Sequence, residues 1–362
     1  MGDDPFQREF VAQLLRSEAP AIAARAATVM GQIGAQGHWG ADSHLAWREA
    51  LESRVQELAS SIGVGCPDEL ARRAAWARVA FEARGANVAD LVLSLRALKR
   101  AAIESVPSED SALVASALDG AIQAAESPAR EPPPELSADA PHGRLAARYL
   151  LALLEGDRLR AARLVHDEVG AGRIGVPEVY RWVFMPVLRE LGRMWHLGEV
   201  NVAEEHFATA TTLAAMSQLA PLATRKPETG RALLAATVSG NAHEVGVRMV
   251  ADRFEWEGWR VVYLGPSVPP EDLAQATVDF GVDAVALSVA LTVQLDALDR
   301  AVSLIRSTAP GVLVIAGGAG LGGDEGLARR LGADALASDP DEAVRVATGW
   351  RVAGSTGPRG PA

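Results

Sequence analysis

Residues 231–350 predict a doubly wound α/β domain with a parallel five-stranded sheet, and residues 1–128 and 143–224 predict helix. Two observations carry this reading. From Arg231 onward, five short apolar runs alternate with helical segments, and the spacing suits parallel crossovers. Before Arg231 no two-residue alternation of apolar and polar residues occurs, and the apolar positions recur at helical spacing. The fold class is therefore α/β plus all-α.

The chain has 362 residues, enough for two or three domains. Residues 1–128 form the first. Phe10, Leu14 and Leu15 share one helical face, and Leu91, Leu95 and Leu98 form a second stripe. Alanine-rich stretches, Ala21–Ala27 and Ala115–Ala125, favour helix further. Residues 129–142 are a linker, because the three prolines after Glu131 fix φ and lack an amide donor. Residues 143–224 fit a four-helix bundle with breaks near Glu155-Gly-Asp, Ile174-Gly-Val-Pro and Leu197-Gly. A short second linker, Arg225 to Gly230, leads to the sheet domain, 231–350. Its strands are expected at Leu233–Val238, Arg260–Leu264, Ala284–Ser288, Val312–Ala316 and Ala333–Ala337, with a helix from His243 to Glu257 after the first. Residues 351–362 have the composition of a disordered tail.

Composition narrows the function classes. The net charge of −11 disfavours binding to phosphate backbones, and Arg96 to Arg100, the densest basic cluster, reads as a solvated helix face. Nucleic-acid binding is therefore not expected. The single cysteine, Cys66, allows no internal disulfide and no thiolate zinc site. No apolar run reaches 18 residues and the N-terminus has no signal-peptide pattern, so a cytoplasmic location without membrane contact is expected.

In a doubly wound sheet, ligands sit beyond the carboxyl ends of the strands. The loop after the first strand reads Ser239-Gly-Asn-Ala-His-Glu-Val-Gly246. It supplies Asn241, His243 and Glu244, and Gly246 lets the following helix approach a bulky ligand. The third strand ends at Ser288 and leads into Leu291 and Thr292; the fourth ends at Gly317-Gly318. Small residues at these ends leave a slot. One imidazole, a good nitrogen donor to cobalt, and two gapped strand ends suggest a ligand with a deep, flat tail.

The spacing resembles the cobalamin-binding signature Asp-x-His-x-x-Gly, then Ser-x-Leu, then Gly-Gly. Each residue alone has an ordinary structural explanation; their order over about 75 residues of a doubly wound pattern carries the likeness. The resemblance implies that His243 is the lower axial ligand of cobalt, that Ser288 contacts the cofactor's displaced base, and that Gly317 and Gly318 line its slot. This sequence departs from the signature twice. Asn241 stands where a carboxylate is usual, which predicts a weaker or more switchable His243–cobalt bond. The leucine after Ser288 comes one place late, at Leu291.

The bundle contains Trp195, nine intervening residues, then Glu205-His206. This resembles the Trp-x9-Glu-His pattern of CarH-type light-sensing cobalamin proteins, with a likeness covering about residues 143–350. It implies that Trp195 and Glu205 contact the adenosyl group of adenosylcobalamin, and that His206 ligates cobalt on the upper side after photolysis. The expected function is a light sensor and not an enzyme. A corrinoid carrier for a methyltransferase and a dark cobalamin-sensing adaptor are the alternatives. CarH-type repressors carry a winged-helix DNA reader of the MerR kind; residues 1–130 show none. They resemble instead the non-haem globin-like domain of RsbR-type regulators, through Phe10-Val-Ala-Gln-Leu-Leu15 and Asn87 to Leu98, with a helical dimerisation domain as the alternative. Haem is not expected, since His38 and His44 lie in a Gly/Trp-containing stretch and the later helices of this region lack histidine. No residue pattern marks a bilin pocket, and Cys66 alone is weak evidence of attachment. A protein signalling partner or self-association into a homo-oligomer is the expected output.

Overall fold

The computed structural model describes residues 4–33, 41–128 and 131–350. His38, the side chain of His44 and the 351–362 tail lie outside the described residues. The chain divides into two compact units: residues 1–158 with 186–208, and residues 159–185 with 209–362.

The first unit begins with six helices: α1 (Pro5–Ser17), α2 (Ala19–Ile33), α3 (Ala41–Gly63), α4 (Asp68–Ala83), α5 (Val88–Ile103) and α6 (Ser111–Glu126). Their shared core includes Val11, Leu15, Ile22, Leu58, Leu98 and Leu118. The stripe expected at Leu91, Leu95 and Leu98 is buried. The stripe expected on α1 is not: Phe10 is 55% exposed, and the buried face is Val11, Ala12 and Leu15. Leu15 falls on both candidate faces, so spacing alone did not separate them.

The stretch 143–224 forms four helical segments at the expected breaks. They are α7 (Gly143–Leu154), α8 (Arg158–Gly170), a third segment, and α11 (Val202–Leu219). The third runs through α9 (Val176–Val179), a π-helical turn at Tyr180–Phe184, and α10 (Met185–His196). Pro186 explains the wide turn. A proline inside a helix removes one hydrogen bond and crowds the preceding turn, and a π-bulge relieves both. The division between the two units falls inside the third and fourth segments.

The second unit holds the sheet. Its strands are β1 (Ala232–Val238), β2 (Arg260–Val268), β3 (Ala284–Ser288), β4 (Leu313–Gly317) and β5 (Ala335–Ala337), with the order β2-β1-β3-β4-β5 and every pair parallel. The intervening helices are α12 (Val245–Trp256), α13 (Pro270–Asp279), α14 (Leu295–Thr308) and α15 (Glu325–Arg330), and α16 (Pro340–Gly349) closes the domain. Every residue of β1 is buried, as a central parallel strand covered on both faces requires. The expected helix from His243 starts later, at Val245. β2 runs past its expected end at Leu264 to Val268, with register shifts against β1. As an edge strand it tolerates Pro266, whose missing amide would break a central strand.

Candidate functional site

The strand order reverses at β1 and β3, so the loops after these two strands flank the topological switch point. The sequence places His243 after one and Ser288 at the end of the other. Asn241 joins them. It is fully buried, and its Nδ2 donates to the Ser288 carbonyl oxygen at 2.9 Å. A carbonyl can only accept, so this bond fixes which end of the amide is nitrogen. Oδ1 then accepts from the His243 backbone amide at 3.0 Å and faces His243 Nδ1 at 3.2 Å. With an acceptor opposite Nδ1, the neutral imidazole carries its proton there and leaves the Nε2 lone pair free. His243 is exposed. A Cβ built on Gly246 would meet nothing within 4 Å, so the ground before the helix is open.

The loop is braced from three further sides. Thr237 Oγ1 donates to the Asn241 carbonyl oxygen and accepts from the Ser267 amide at 2.8 Å. Ser267 Oγ accepts from the Gly240 amide at 3.0 Å. Gln294 is 4% exposed. Its Nε2 donates to the Gly240 carbonyl oxygen, and its Oε1 accepts from the amides of Ala290 and Leu291, each at 3.0 Å. One side chain thus ties the loop after β1 to the loop after β3. Thr292 is buried beside it in sequence, and Leu291 is half-buried. The sequence reading missed Gln294, because nothing in the spacing marks a glutamine that bridges loops 54 residues apart.

Gly317 and Gly318 are built for close approach of backbone. Gly318 has φ +102°, and a Cβ there would lie 2.2 Å from the Val289 carbonyl oxygen. At Gly317 it would lie 2.7 Å from the Ala337 carbonyl oxygen. The Val289 amide donates to the Gly317 carbonyl oxygen at 2.9 Å. The missing side chains therefore let the loops after β3 and β4 lie against one another, a use of glycine that sequence alone did not separate from the lining of a slot.

Glu244 turns away from the imidazole chemistry. Its Oε2 accepts from the Tyr263 hydroxyl at 2.5 Å, and the Arg248 guanidinium lies over the Tyr263 ring at 5.1 Å. Arg248 donates to Asp252 at 2.9 Å, and Tyr180 in the π-helical turn donates to the same carboxylate at 2.8 Å. Burial raises the Asp252 pKa, and the Arg248 charge opposes that rise. Burial also drives the Tyr180 pKa upward, with the Asp252 charge adding to it, so Tyr180 keeps its proton. A polar chain thus leads from the neighbour of His243 into the bundle's third segment.

Trp195, Glu205 and His206 stand in the first unit, at the end of α10 and the start of α11. Gly198 has φ +73° and ends the turn between them. Asn201 caps α11 by accepting from the Ala203 and Glu204 amides, and Glu204 accepts in return from the Asn201 amide at 2.7 Å. Glu205 Oε2 lies 3.7 Å from His206 Nε2, and the His206 side chain is 73% exposed. Trp195 is half-buried and stacks on Trp76 of α4, a partner the sequence reading did not anticipate. Among the described residues no group of three or more His, Cys, Asp or Glu is arranged to hold a metal ion by itself. A cofactor that brings its own equatorial donors would need only the single protein nitrogen that His243 presents.

The fold and this loop define a doubly wound parallel α/β domain with one oriented imidazole at its switch point. Comparison with known proteins specifies the class. Residues 231–347 match the model of the B12 binding domain, and residues 145–220 match a second B12 binding domain model. The chain is 29% identical over 206 residues to the HTH-type transcriptional repressor CarH of Myxococcus xanthus, covering 56% of this chain and 67% of that protein. It is 34% identical over 148 residues to the repressor CarA of the same organism, covering 40% of this chain and 48% of that protein. This chain thus spans about two thirds of one repressor and about half of the other. The Dimethylamine corrinoid protein 1 of Methanosarcina acetivorans is 24% identical over 191 residues, covering 51% of this chain and 88% of that protein. Among solved structures, the monomethylamine corrinoid protein of Methanosarcina barkeri shares the fold, with a TM-score of 0.51 at 19% identity over 57% of this chain and 98% of that one. The chain carries a CarH-type cobalamin-binding module. No helix among the described residues is long and apolar enough to cross a membrane.

Proposed function

We propose that this protein is a light sensor that works through adenosylcobalamin held by His243, and that it has no catalytic turnover of its own. When bound, the cofactor supplies a cobalt–carbon bond that is weak and absorbs visible light. The protein's residues supply the rest. Asn241 holds the His243 ring with Nε2 outward, where it would bind the cobalt. Ser288, Leu291, Thr292, Gly317 and Gly318 form the strand ends against which the cofactor's base would rest, and Gly246 leaves room for the corrin. Trp195 and Glu205 would hold the cofactor's alkyl group, and His206, whose side chain is 73% exposed, would offer a second imidazole nitrogen. Loss of those contacts shifts a two-state equilibrium by their differential free energy alone. The observation that carries this reading is the Trp195-x9-Glu205-His206 pattern, set across one Gly198 turn within the residues 145–220 that match a B12 binding domain model. The output runs through protein contacts or self-association, in keeping with an acidic chain of net charge −11.

The test is direct. The protein is loaded with adenosylcobalamin in the dark, illuminated, and followed by absorption spectra and size-exclusion chromatography. A light-triggered spectral change that His206→Ala alters is the expected result. Unchanged spectra after illumination would sink the photoreceptor reading. The corrinoid-protein relative supports a second reading, a methyl carrier. A carrier would bind cobalamin through His243, show no light-dependent change in size, and be indifferent to His206→Ala.

A further inference from the structure

We propose that the helices of residues 4–126 read the state of the cobalamin cap through a clasp on the end of α10, an inference that rests on the reading of Trp195 given above. Arg84, the residue that follows α4, forms one half of the clasp. Its Nη2 donates to the Trp195 carbonyl oxygen at 2.6 Å, and its Nη1 donates to that of His196. Carbonyls in the last turn of a helix retain acceptor capacity, and a cation there also meets the negative end of the helix dipole. One guanidinium fork therefore caps α10 from a position more than 100 residues earlier. The same guanidinium lies 5.8 Å from the Trp195 ring. Gly198 is shaped to admit it: a Cβ there would sit 3.2 Å from Arg84 Cγ.

Trp76 forms the other half. Its ring stacks on His196 at 3.9 Å and 24°, and on Trp195 at 6.1 Å and 30°. Arg73 covers Trp76 at 4.7 Å. The result is a pile of cation, indole and imidazole, with the second indole beside it. His196 is 3% exposed, and its Nδ1 has no hydrogen-bond partner. Its ring is thus held by stacking, which tolerates sliding, and not by directional bonds. On α4, Leu70, Ala74 and Ala77 are buried in the core of the six-helix region, while Arg73 and Trp76 serve the clasp. One helix therefore belongs to both the N-terminal core and the end of α10. Any rearrangement of Trp195 must drag or break the contacts of Trp76 and Arg84. This gives residues 4–126 a task that neither a DNA reader nor a haem pocket would require: they are the output arm.

Hydrogen–deuterium exchange on the full chain tests the clasp. Peptides covering 68–84 and 186–198 are followed in the cobalamin-free, dark-loaded and illuminated protein. Exchange in both peptides is expected to change together by at least about fivefold between two of these states, the low end of typical coupling between sites. Arg84→Gln and Trp76→Leu are expected to raise exchange in 68–84 already in the dark and to abolish its dependence on the cofactor, while leaving the photolysis spectrum intact. Trp76→Phe keeps an aromatic face and is expected to restore the dependence, which separates loss of the clasp from loss of folding. If cobalamin is bound yet exchange in 68–84 is the same in all three states, the clasp is overturned. If light leaves the spectrum unchanged but loading alters exchange in 68–84, the photoreceptor reading fails and the clasp stands. Failure to take up cobalamin sinks both.

Discussion

The loop that presents His243 and the helix end that presents Trp195 are built in opposite ways. His243 is oriented by its own domain. Fully buried Asn241 spends its amide on His243 and Ser288, and Gln294, Thr237 and Ser267 brace the same loop within the sheet. Trp195 is held by a region more than 100 residues away, through a guanidinium fork and ring stacking. His206 has an exposed side chain. A ligand site made from short directional bonds keeps one geometry. The helix end at Trp195 hangs instead on one distant side chain, whose two charge-assisted bonds and the neighbouring ring stack hold it. The difference is one of locality: His243 is fixed by its own domain, Trp195 by helices at the other end of the sequence.

The largest expected effect would break the fixed side. Gly318→Val puts a branched side chain at φ +102° and 2.2 Å from the Val289 carbonyl oxygen. It should destabilise the second unit by roughly 3 kcal/mol or more, read by chemical denaturation. Asp252→Ala should follow, at about 2 kcal/mol, because it strips the Tyr180 hydroxyl and Arg248 of their buried partner. Arg248 is 32% exposed and regains water, which keeps the loss below that of a fully buried pair. Next comes Asn241→Ala, expected to weaken cobalamin binding by about 10- to 100-fold with the fold intact. Asn241→Asp keeps the acceptor facing His243 Nδ1 but sets a carboxylate oxygen against the Ser288 carbonyl, so it should recover only part of that loss; titration followed by absorption checks both. On the other side, His206→Ala should shift thermal stability by less than about 0.5 kcal/mol, since the side chain is exposed.

A separate effect appears as a pH slope. Burial, then the charges of Arg84 and Arg73, push the His196 pKa from 6.5 down to about 4. Between these values the unfolded chain binds a proton that the folded chain refuses. The stability contributed by neutral His196 is therefore complete above pH 6.5, is lost as pH falls toward 4, and is flat below that. His196→Phe keeps a ring for Trp76 but cannot be protonated. It should flatten this part of the pH profile of unfolding; an unchanged slope would show that other groups set it.

Much of this was legible in the sequence, for physical reasons that also mark where legibility ends. The central strands were readable because a parallel strand covered on both faces is a continuous apolar run, and Ala284–Ser288 was placed to the residue. The extension of β2 through Gly265-Pro-Ser was hidden, because those residue types ordinarily mark turns. Phe10 misled because Leu15 fits two helical faces, and the buried one runs through Val11. The order of Asn241, His243, Ser288 and Gly317-Gly318 was readable because they sit at or just past the carboxyl ends of β1, β3 and β4, neighbours in the sheet. The Gln294 bridge and the Trp76–His196 stack were not, since both join residues with no fixed separation along the chain.

Asn241 has one more consequence, which concerns protons. A carboxylate in that position could take up a proton whenever the histidine let go of the metal, so ligation and release would be coupled to the acidity of the medium. An amide has no such second state. Its oxygen and nitrogen are both committed, to His243 and to the Ser288 carbonyl, and neither gains or loses hydrogen between pH 4 and 10. Residue 241 therefore adds no titration of its own to whatever the His243 imidazole binds.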